Sequence, residues 1–375
     1  MLGWEFKHLY YKLNLLIITY HMTNLQDPGI GLIGLGIGQT HLLGYQRKGL
    51  RVEAICDKDE ERLHYAGDRF DIHKRYTRIA DLIADDAVDI LDLAVHPWIR
   101  SPIVNAAAQA GKHIFCQKPF SMTMPQAVEM VEICKKNAVQ LMVNQNSCFA
   151  PGFLAIEPYI NTEHLGEIYH ISITCNGFFT TFPGKHIIPV MQVHHISLVQ
   201  KWFGDYESVY CQAHGHDRSV EDGETISVAL FKSRNGVKGL LSCNWAFLGN
   251  TGHNLQHPHE EIRVQGTRGA IYGNSADMTI HLTDPEPREI KPEIDGTWFP
   301  DGFGNAMVHF IECLQTSAKP ITDGQSNLHI IQTIFAMHQS ALLDKIIFVD
   351  DISLDGNYDM SPYPVLASDD TSILY

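Results

Sequence analysis

Three glycines set one residue apart, Gly34, Gly36 and Gly38, follow the apolar run "IGLI" and precede the helix-spaced run "QTHLLGYQR". Bare backbone at such a turn has a chemical use. Amide N–H groups and the positive end of a helix dipole together seat a phosphate. Gly34 is expected to make the tight turn and Gly36 to let a pyrophosphate approach the chain. Ile37 and Gly38 complete the turn, with Gly38 one place ahead of the usual third glycine, whose position Gln39 holds. Asp57 closes the next apolar run, "RVEAIC", at the spacing where a carboxylate accepts hydrogen bonds from an adenosine ribose. These residues point to NAD, and Lys58 beside Asp57 leaves NADP open.

A nicotinamide cofactor exchanges hydride with a carbinol carbon. That chemistry needs a group to take the hydroxyl proton and a polar partner for the developing alkoxide. Lys118 stands before Pro119 at what reads as a strand end, on the ligand side of a parallel sheet. Burial and a nearby positive ring would favour its neutral amine form. His194 and His195 lie in a helical run, where neighbours diverge by about 100°, so one of the two can face a given cleft. Asn144 and Asn146 end a strand and could bind cofactor or substrate hydroxyls, whereas Asn105, inside a helix, reads as structural. Trp245 and Trp298 suit either the face of a sugar ring or the core. His253, His257 and His259, with Glu260 and Glu261, have metal-ligand types. A loop lining the pocket is the better expectation there, and no metal is expected.

These residues need elements to carry them. From Gly29 onward, apolar strands and helix-spaced segments alternate through "RVEAICD", "DILDLAV", "KHIFC" and "QLMVNQN". Such alternation implies βαβ units and a parallel sheet. After Pro151 longer β-like runs appear, joined by turn signals such as "SRNG", and helical stretches such as "MQVHHISLVQKWFG" interrupt them. The expected fold is therefore an α/β Rossmann domain (a doubly wound parallel sheet) over 29–148. A C-terminal α+β domain with a largely antiparallel open sheet follows over 149–349, and "NLHIIQTIFAMHQSALLDK" is a late helix able to return to the first domain. Residues 350–375 read as a loosely held polar tail. Residues 1–28 read as an amphipathic extension, or as an upstream start ahead of a true start at Met22. Its apolar run 13–20 is too short to span a bilayer. A net charge of −15 disfavours nucleic acid and anionic membrane as partners. Eight scattered cysteines without a CxxC pair read as reduced core thiols of a cytoplasmic protein.

Taken in order, "GLGIG", Asp57, "VHPW", "GKHIFCQKPF" and "NQN" resemble the Gfo/Idh/MocA oxidoreductase family, with the likeness running from about Gly29 to Leu343. The resemblance implies NAD(P)-linked oxidation or reduction of a sugar, cyclitol or related polyol. It also implies an open second-domain sheet that pairs chains into a homodimer or homotetramer. By the same resemblance Lys118 is a catalytic or substrate-anchoring lysine, and Gln117 replaces a glutamate and would contact ribose or nicotinamide. His96 and Pro97 pack beside the cofactor. His194 is a proton relay or hydroxyl partner, with His195 at the cleft edge and Asn146 touching cofactor or substrate. Three departures stand out: Val190 and Ser197 occupy aspartate positions of the family pattern, and Cys148 occupies an arginine position. They motivate two other readings. One is a cofactor-binding regulator without catalysis; the other is an enzyme that cleaves glycosides through transient oxidation by a retained NAD.

Overall fold

The computed structural model describes residues 27–177, 186–215, 223–247, 260–361 and 363–375. The apolar run before the glycines is β1 (Ile30–Ile33). The alternation continues through α1 (Gly38–Arg47), β2 (Val52–Cys56), α2 (Glu60–Arg69), β3 (Lys74–Tyr76), α3 (Ile79–Ile83), β4 (Ile90–Leu93), α4 (Arg100–Gln109), β5 (His113–Gln117), α5 (Met124–Lys136) and β6 (Leu141–Asn144). The strands are all parallel, in the order β3-β2-β1-β4-β5-β6. β1 and β4 are buried along their whole length, as strands covered by helices on both faces must be. Chain order reverses between β1 and β4, so a crevice opens beyond their carboxyl ends. The starts of the flanking helices carry their own signals. Asp59 caps α2 through the Arg62 amide at 3.0 Å, and Thr123 caps α5, with Pro125 in its first turn. The short β3, "KRY", lacks an apolar pattern and is not foreseen by the sequence.

Two short helices, α6 (Pro151–Ile156) and α7 (Thr162–Leu165), lead into β7 (Ile168–Asn176). A π-helical turn, Ile188–Gln192, then runs into α8 (Val193–Phe203). The remaining strands are β8 (Tyr206–His214), β9 (Ile226–Ser233), β10 (Lys238–Asn244), β11 (Glu260–Gly266), β12 (Gly269–Asn274), β13 (Asp277–Leu282) and β14 (Arg288–Ile290). After them come α9 (Asp301–Thr316), α10 (Gly324–Leu343) and β15 (Ile347–Phe348). Among the described residues the second sheet has nine strands, ordered β14-β13-β12-β11-β7-β10-β9-β8-β15. It is antiparallel except for the β7–β10 pair. Period-two alternation sends Ala229 and Phe231 inward and Val228 and Leu230 outward, so one face stays open, with Tyr169, Tyr272 and Phe348 also exposed.

Two helices of the second half fasten it to the first. α9 crosses α1 at a glycine pair: a Cβ on Gly44 would lie 2.5 Å from the Pro300 carbonyl oxygen, and one on Gly304 would lie 2.5 Å from that of Gly44. Arg47 at the end of α1 pairs with Asp301 at the start of α9, at 2.9 Å. At the head of α10, Thr322 exchanges hydrogen bonds with Val143 of β6, its hydroxyl donating at 2.7 Å and its carbonyl accepting at 2.8 Å. The late helix does return to the first sheet. The end of the chain corrects the expectation of a loose tail. The Met124 amide donates to Tyr358, that of Met360 to Met122 and that of Leu366 to Trp98, while Leu374 is buried. Apolar residues at 349, 352 and 374, scattered too thinly to form a pattern, anchor this strap.

Candidate active site

The glycine turn sits at the carboxyl end of β1, beside the end of β4. Gly34 has φ +93°, and a Cβ there would lie 2.9 Å from the Ala94 carbonyl oxygen. A Cβ on Gly38 would lie 2.7 Å from Leu32 Cδ2, so Gly38 lets α1 close onto β1. The missing third glycine is thus replaced in function one position early. A Cβ on Gly36 would meet nothing within 4 Å. That open space lies at the start of α1, whose first residue follows Ile37 without any side-chain cap. Asp57, at the end of β2, accepts the Leu35 amide at 2.7 Å and that of Asp59 at 2.9 Å, and Arg62 lies 3.3 Å away. An uncapped helix start, an open cradle at Gly36 and a carboxylate at the next strand end fit a dinucleotide.

The crevice is walled by the ends of β4, β5 and β6. His96, exposed, stacks flat on Trp98 with centroids 4.5 Å apart, and Pro97 beside it is buried. Arg100, fully buried, donates to the carbonyls of Val95 at 2.6 Å, Phe120 at 3.2 Å and Pro119. It clamps the His96 turn to the Lys118–Phe120 segment, and burial lowers its pKa from the ordinary arginine value. Gln117 turns beneath the crevice: its Nε2 donates to His41 at 3.0 Å and its Oε1 accepts the Lys118 amide at 2.7 Å. Its two ends are thus engaged within the protein, where a ribose or nicotinamide contact was expected.

Lys118 projects from the end of β5, and its Nζ donates to the carbonyl of Val190 in the π-helical turn at 2.6 Å. The first domain's lysine thereby meets the second domain at the sequence position where an aspartate was expected. His194 follows one turn later. Its ring is buried, meets Trp298 edge-on at 5.2 Å, and has an Nδ1 without a hydrogen-bond partner. Burial first, then the nearby charge of Lys118 and then His195, push its pKa well below the ordinary histidine value. That direction favours the neutral imidazole. His195, expected at the cleft edge, instead faces β10, with Nδ1 3.5 Å from Cys243 Sγ, and burial pushes its pKa down to about 3. The two rings diverge as helical geometry requires.

The other two departures also have local explanations. Ser197 donates to the His194 carbonyl at 2.9 Å and lies 3.3 Å from Ser147, so it ties α8 to the 146–149 turn. Cys148 is buried, and Lys201 reaches its carbonyl at 2.8 Å while pairing with Glu157 at 2.7 Å. Lys201 thus sets a cation against the Cys148 backbone. Asn144, Asn146 and Gln192 are buried with both side-chain amide atoms unpartnered. Such atoms each cost about 1–3 kcal/mol unless something bonds them. Asn144 is the register partner of Gln117, and Gln192 precedes His194 by two residues. Together with His194 Nδ1 they are polar groups suited to a hydroxyl-rich ligand.

Some expected residues play other parts. Trp245 and Trp298 are buried, and Trp298 serves as the wall against His194. Asn105 donates to the Ser368 carbonyl at 2.9 Å, a structural bond. His253, His257 and His259 lie outside the described residues. Glu260 is buried and Glu261 exposed on opposite faces of β11, so the two cannot share one ion. All eight cysteines are free and buried. Among the described residues, no helix is long and apolar enough to cross a membrane. Sequence reasoning missed His41, Asp92, Arg100 and Gln192. Asp92, a carboxylate inside the apolar run "DILDLAV", was the available signal, since a buried charge requires partners.

The parallel sheet with its glycine cradle, joined to an open antiparallel sheet, defines a two-domain NAD-binding oxidoreductase. Residues 29–145 match the NAD-binding Rossmann fold of the Gfo/Idh/MocA oxidoreductase family and residues 153–272 match its C-terminal domain. The chain belongs to that family. It is 27% identical over 344 residues to D-apiose dehydrogenase of Paraburkholderia graminis, covering 87% of this chain and 90% of that protein. It is 26% identical over 276 residues to myo-inositol 2-dehydrogenase of Thermotoga maritima, covering 68% and 78%. Among solved structures, an oxidoreductase from Agrobacterium radiobacter in complex with NAD+, L-tartaric acid and magnesium superposes with a TM-score of 0.80 at 21% identity, over 88% of this chain and 100% of that one.

Proposed function

We propose that the chain is a dehydrogenase that oxidises a secondary alcohol of a sugar or cyclitol, with Lys118 and His194 as its acid–base and anchoring pair. The observation that carries this reading is the meeting of Lys118 with the π turn just ahead of neutral His194. The unpartnered amides of Asn144, Asn146 and Gln192 supply hydroxyl partners. The relatives named for apiose and inositol oxidation support the same substrate class. Gly34, Gly36, Ile37, Gly38 and Asp57 would hold the dinucleotide, with His96, Pro97 and Asn146 at the nicotinamide end. Bound NAD supplies the hydride acceptor. Lys118, as its amine, takes the hydroxyl proton, and the Val190 carbonyl steadies the ammonium that results. His194, held neutral by burial, accepts a second hydroxyl through Nδ1 and so fixes which carbon is presented. The carboxylate of Asp57 opposes a 2′-phosphate, which favours NAD over NADP.

The open sheet face, with Val228, Leu230, Tyr169 and Tyr272 exposed, suits a second copy of the chain, so we assign a homo-oligomer. Eight buried free thiols accord with a cytoplasmic setting. The experiment that tests the reading is a screen of aldoses, ketoses and cyclitols for NADH absorbance, using protein shown by calorimetry to bind NAD. Reduction with at least one sugar or cyclitol is expected. Binding without reduction across the screen would return the reading to a non-catalytic sensor.

A further inference from the structure

We propose that Asp92, His41 and Gln117 form a positioning relay that sets the seat of Lys118 from beneath. The inference rests on the catalytic reading of Lys118 given above. Its observations are independent of any substrate. Asp92 Oδ2 lies 2.6 Å from the Tyr45 hydroxyl and 2.8 Å from His41 Nδ1. A carboxylate can only accept, so the imidazole carries its proton on Nδ1. His41 Nε2 is left with a lone pair, and the Gln117 amide nitrogen donates to it at 3.0 Å. The amide's polarity is now settled. Its oxygen faces the other way and accepts the backbone N–H of Lys118 at 2.7 Å. Reversing the amide would set oxygen against a lone pair and N–H against N–H. Each donor therefore meets an acceptor in one arrangement alone.

The relay is sealed. His41, Tyr45 and Asp92 are fully buried, and Gln117 nearly so. Phe303, from the second half of the chain, stacks on the His41 ring with centroids 4.2 Å apart. His41 belongs to α1, the helix that begins at the phosphate cradle, whereas Lys118 ends β5. The relay thus joins the two parts of the crevice that have to agree on where a dinucleotide and its substrate meet. Low local polarity strengthens each bond in such a chain. His41 and Gln117 touch no reacting atom; they are positioning residues.

Two variants and two readouts test this. In His41→Asn the shorter amide nitrogen stands where Nδ1 stood, so the Asp92 bond is kept and the Gln117 bond is lost. In Gln117→Glu an oxygen faces His41 Nε2, which must then acquire a proton. The first readout is 15N NMR of histidine-labelled, cofactor-free protein, with His41 assigned by the signals that vanish in His41→Asn. The wild type should show Nδ1 protonated and Nε2 bare, and Gln117→Glu should show both protonated. The second readout is steady-state kinetics. Both variants should lose about 10- to 100-fold in kcat, the size of a small misplacement of a reacting group, with the KM for NAD held. A protonated Nε2 in the wild type would overturn the relay. So would a folded His41→Asn protein with wild-type kcat. A chain with no turnover on any sugar would defeat the catalytic reading; the NMR result would still decide the relay's polarity.

Discussion

The side-chain nitrogen of Lys118 and the carbonyl oxygen of Val190 lie 2.6 Å apart, the first at the end of the Rossmann strand β5, the second in a π-helical turn of the other domain. Side-chain chemistry at position 190 is thereby replaced by backbone chemistry. A π turn shifts the carbonyl pattern of a helix and leaves an oxygen to face inward, a device frequent at functional sites. The loss of an aspartate from the sequence pattern leaves the lysine with an oxygen to bond.

Lys118→Met follows directly. Turnover should fall by about 100-fold or more, the usual worth of a positioned proton acceptor. NAD affinity measured by calorimetry should stay near wild type, because the cradle lies at the other end of the crevice. Full turnover in this variant would remove Lys118 from the chemistry.

Gly36→Val probes the cradle. A Cβ at this position would meet nothing within 4 Å in the protein, so folding and melting temperature should be preserved. The added methyls occupy the space a pyrophosphate needs. The Kd for NAD should rise by at least about tenfold, or 1.4 kcal/mol. An unchanged Kd would move the dinucleotide elsewhere.

Gly44→Ala tests the joint between the domains. Its methyl would stand 2.5 Å from the Pro300 carbonyl oxygen and 2.9 Å from the Gly304 nitrogen, both backbone atoms that cannot swing aside. Overpacking of this kind costs roughly 1–3 kcal/mol, which lowers Tm by several degrees in calorimetry. A wild-type Tm would mean that α1 and α9 separate freely.

Glu260 gives a pH signature. It is fully buried, its Oε1 accepts the Ser275 amide at 2.9 Å, and burial pushes its pKa from 4.5 up to about 8. The folded state therefore holds this proton more tightly than the unfolded chain. Its contribution to stability is complete below 4.5 and is lost as pH climbs through about 8. His194 and His195, both depressed, act in the opposite sense, and their contribution is lost as pH falls below the ordinary 6.5. Glu260→Gln keeps the bond to Ser275 and carries no charge. Thermal melts should show its Tm passing above that of the wild type toward pH 8; parallel pH curves would contradict this.

The parts of this molecule governed by local pattern were readable from the sequence. The glycine turn, Asp57 and the βαβ alternation lie within single units, where spacing translates directly into geometry. Lys118 and His194 were singled out through the family resemblance, and Lys118 Nζ reaches the turn just ahead of His194. What it hid depends on long-range approach. His41, Asp92 and Gln117 come from three separate βα units, and their contact arises only when β1, β4 and β5 align. Arg100 likewise looks like one more helical residue until the carbonyls of Val95, Pro119 and Phe120 converge on it. The terminal strap and β15 are too short and too mixed in polarity to show a period, and tertiary packing alone holds them.

The account turns on hydride transfer in this crevice. A sugar that reduces NAD, prepared with deuterium on the carbinol carbon, tests it most directly when the label is followed by mass spectrometry. Transfer to the nicotinamide ring by the wild type, with transfer abolished in Lys118→Met, is the predicted result. Label released to water, or a product formed with the nicotinamide unlabelled, would contradict it.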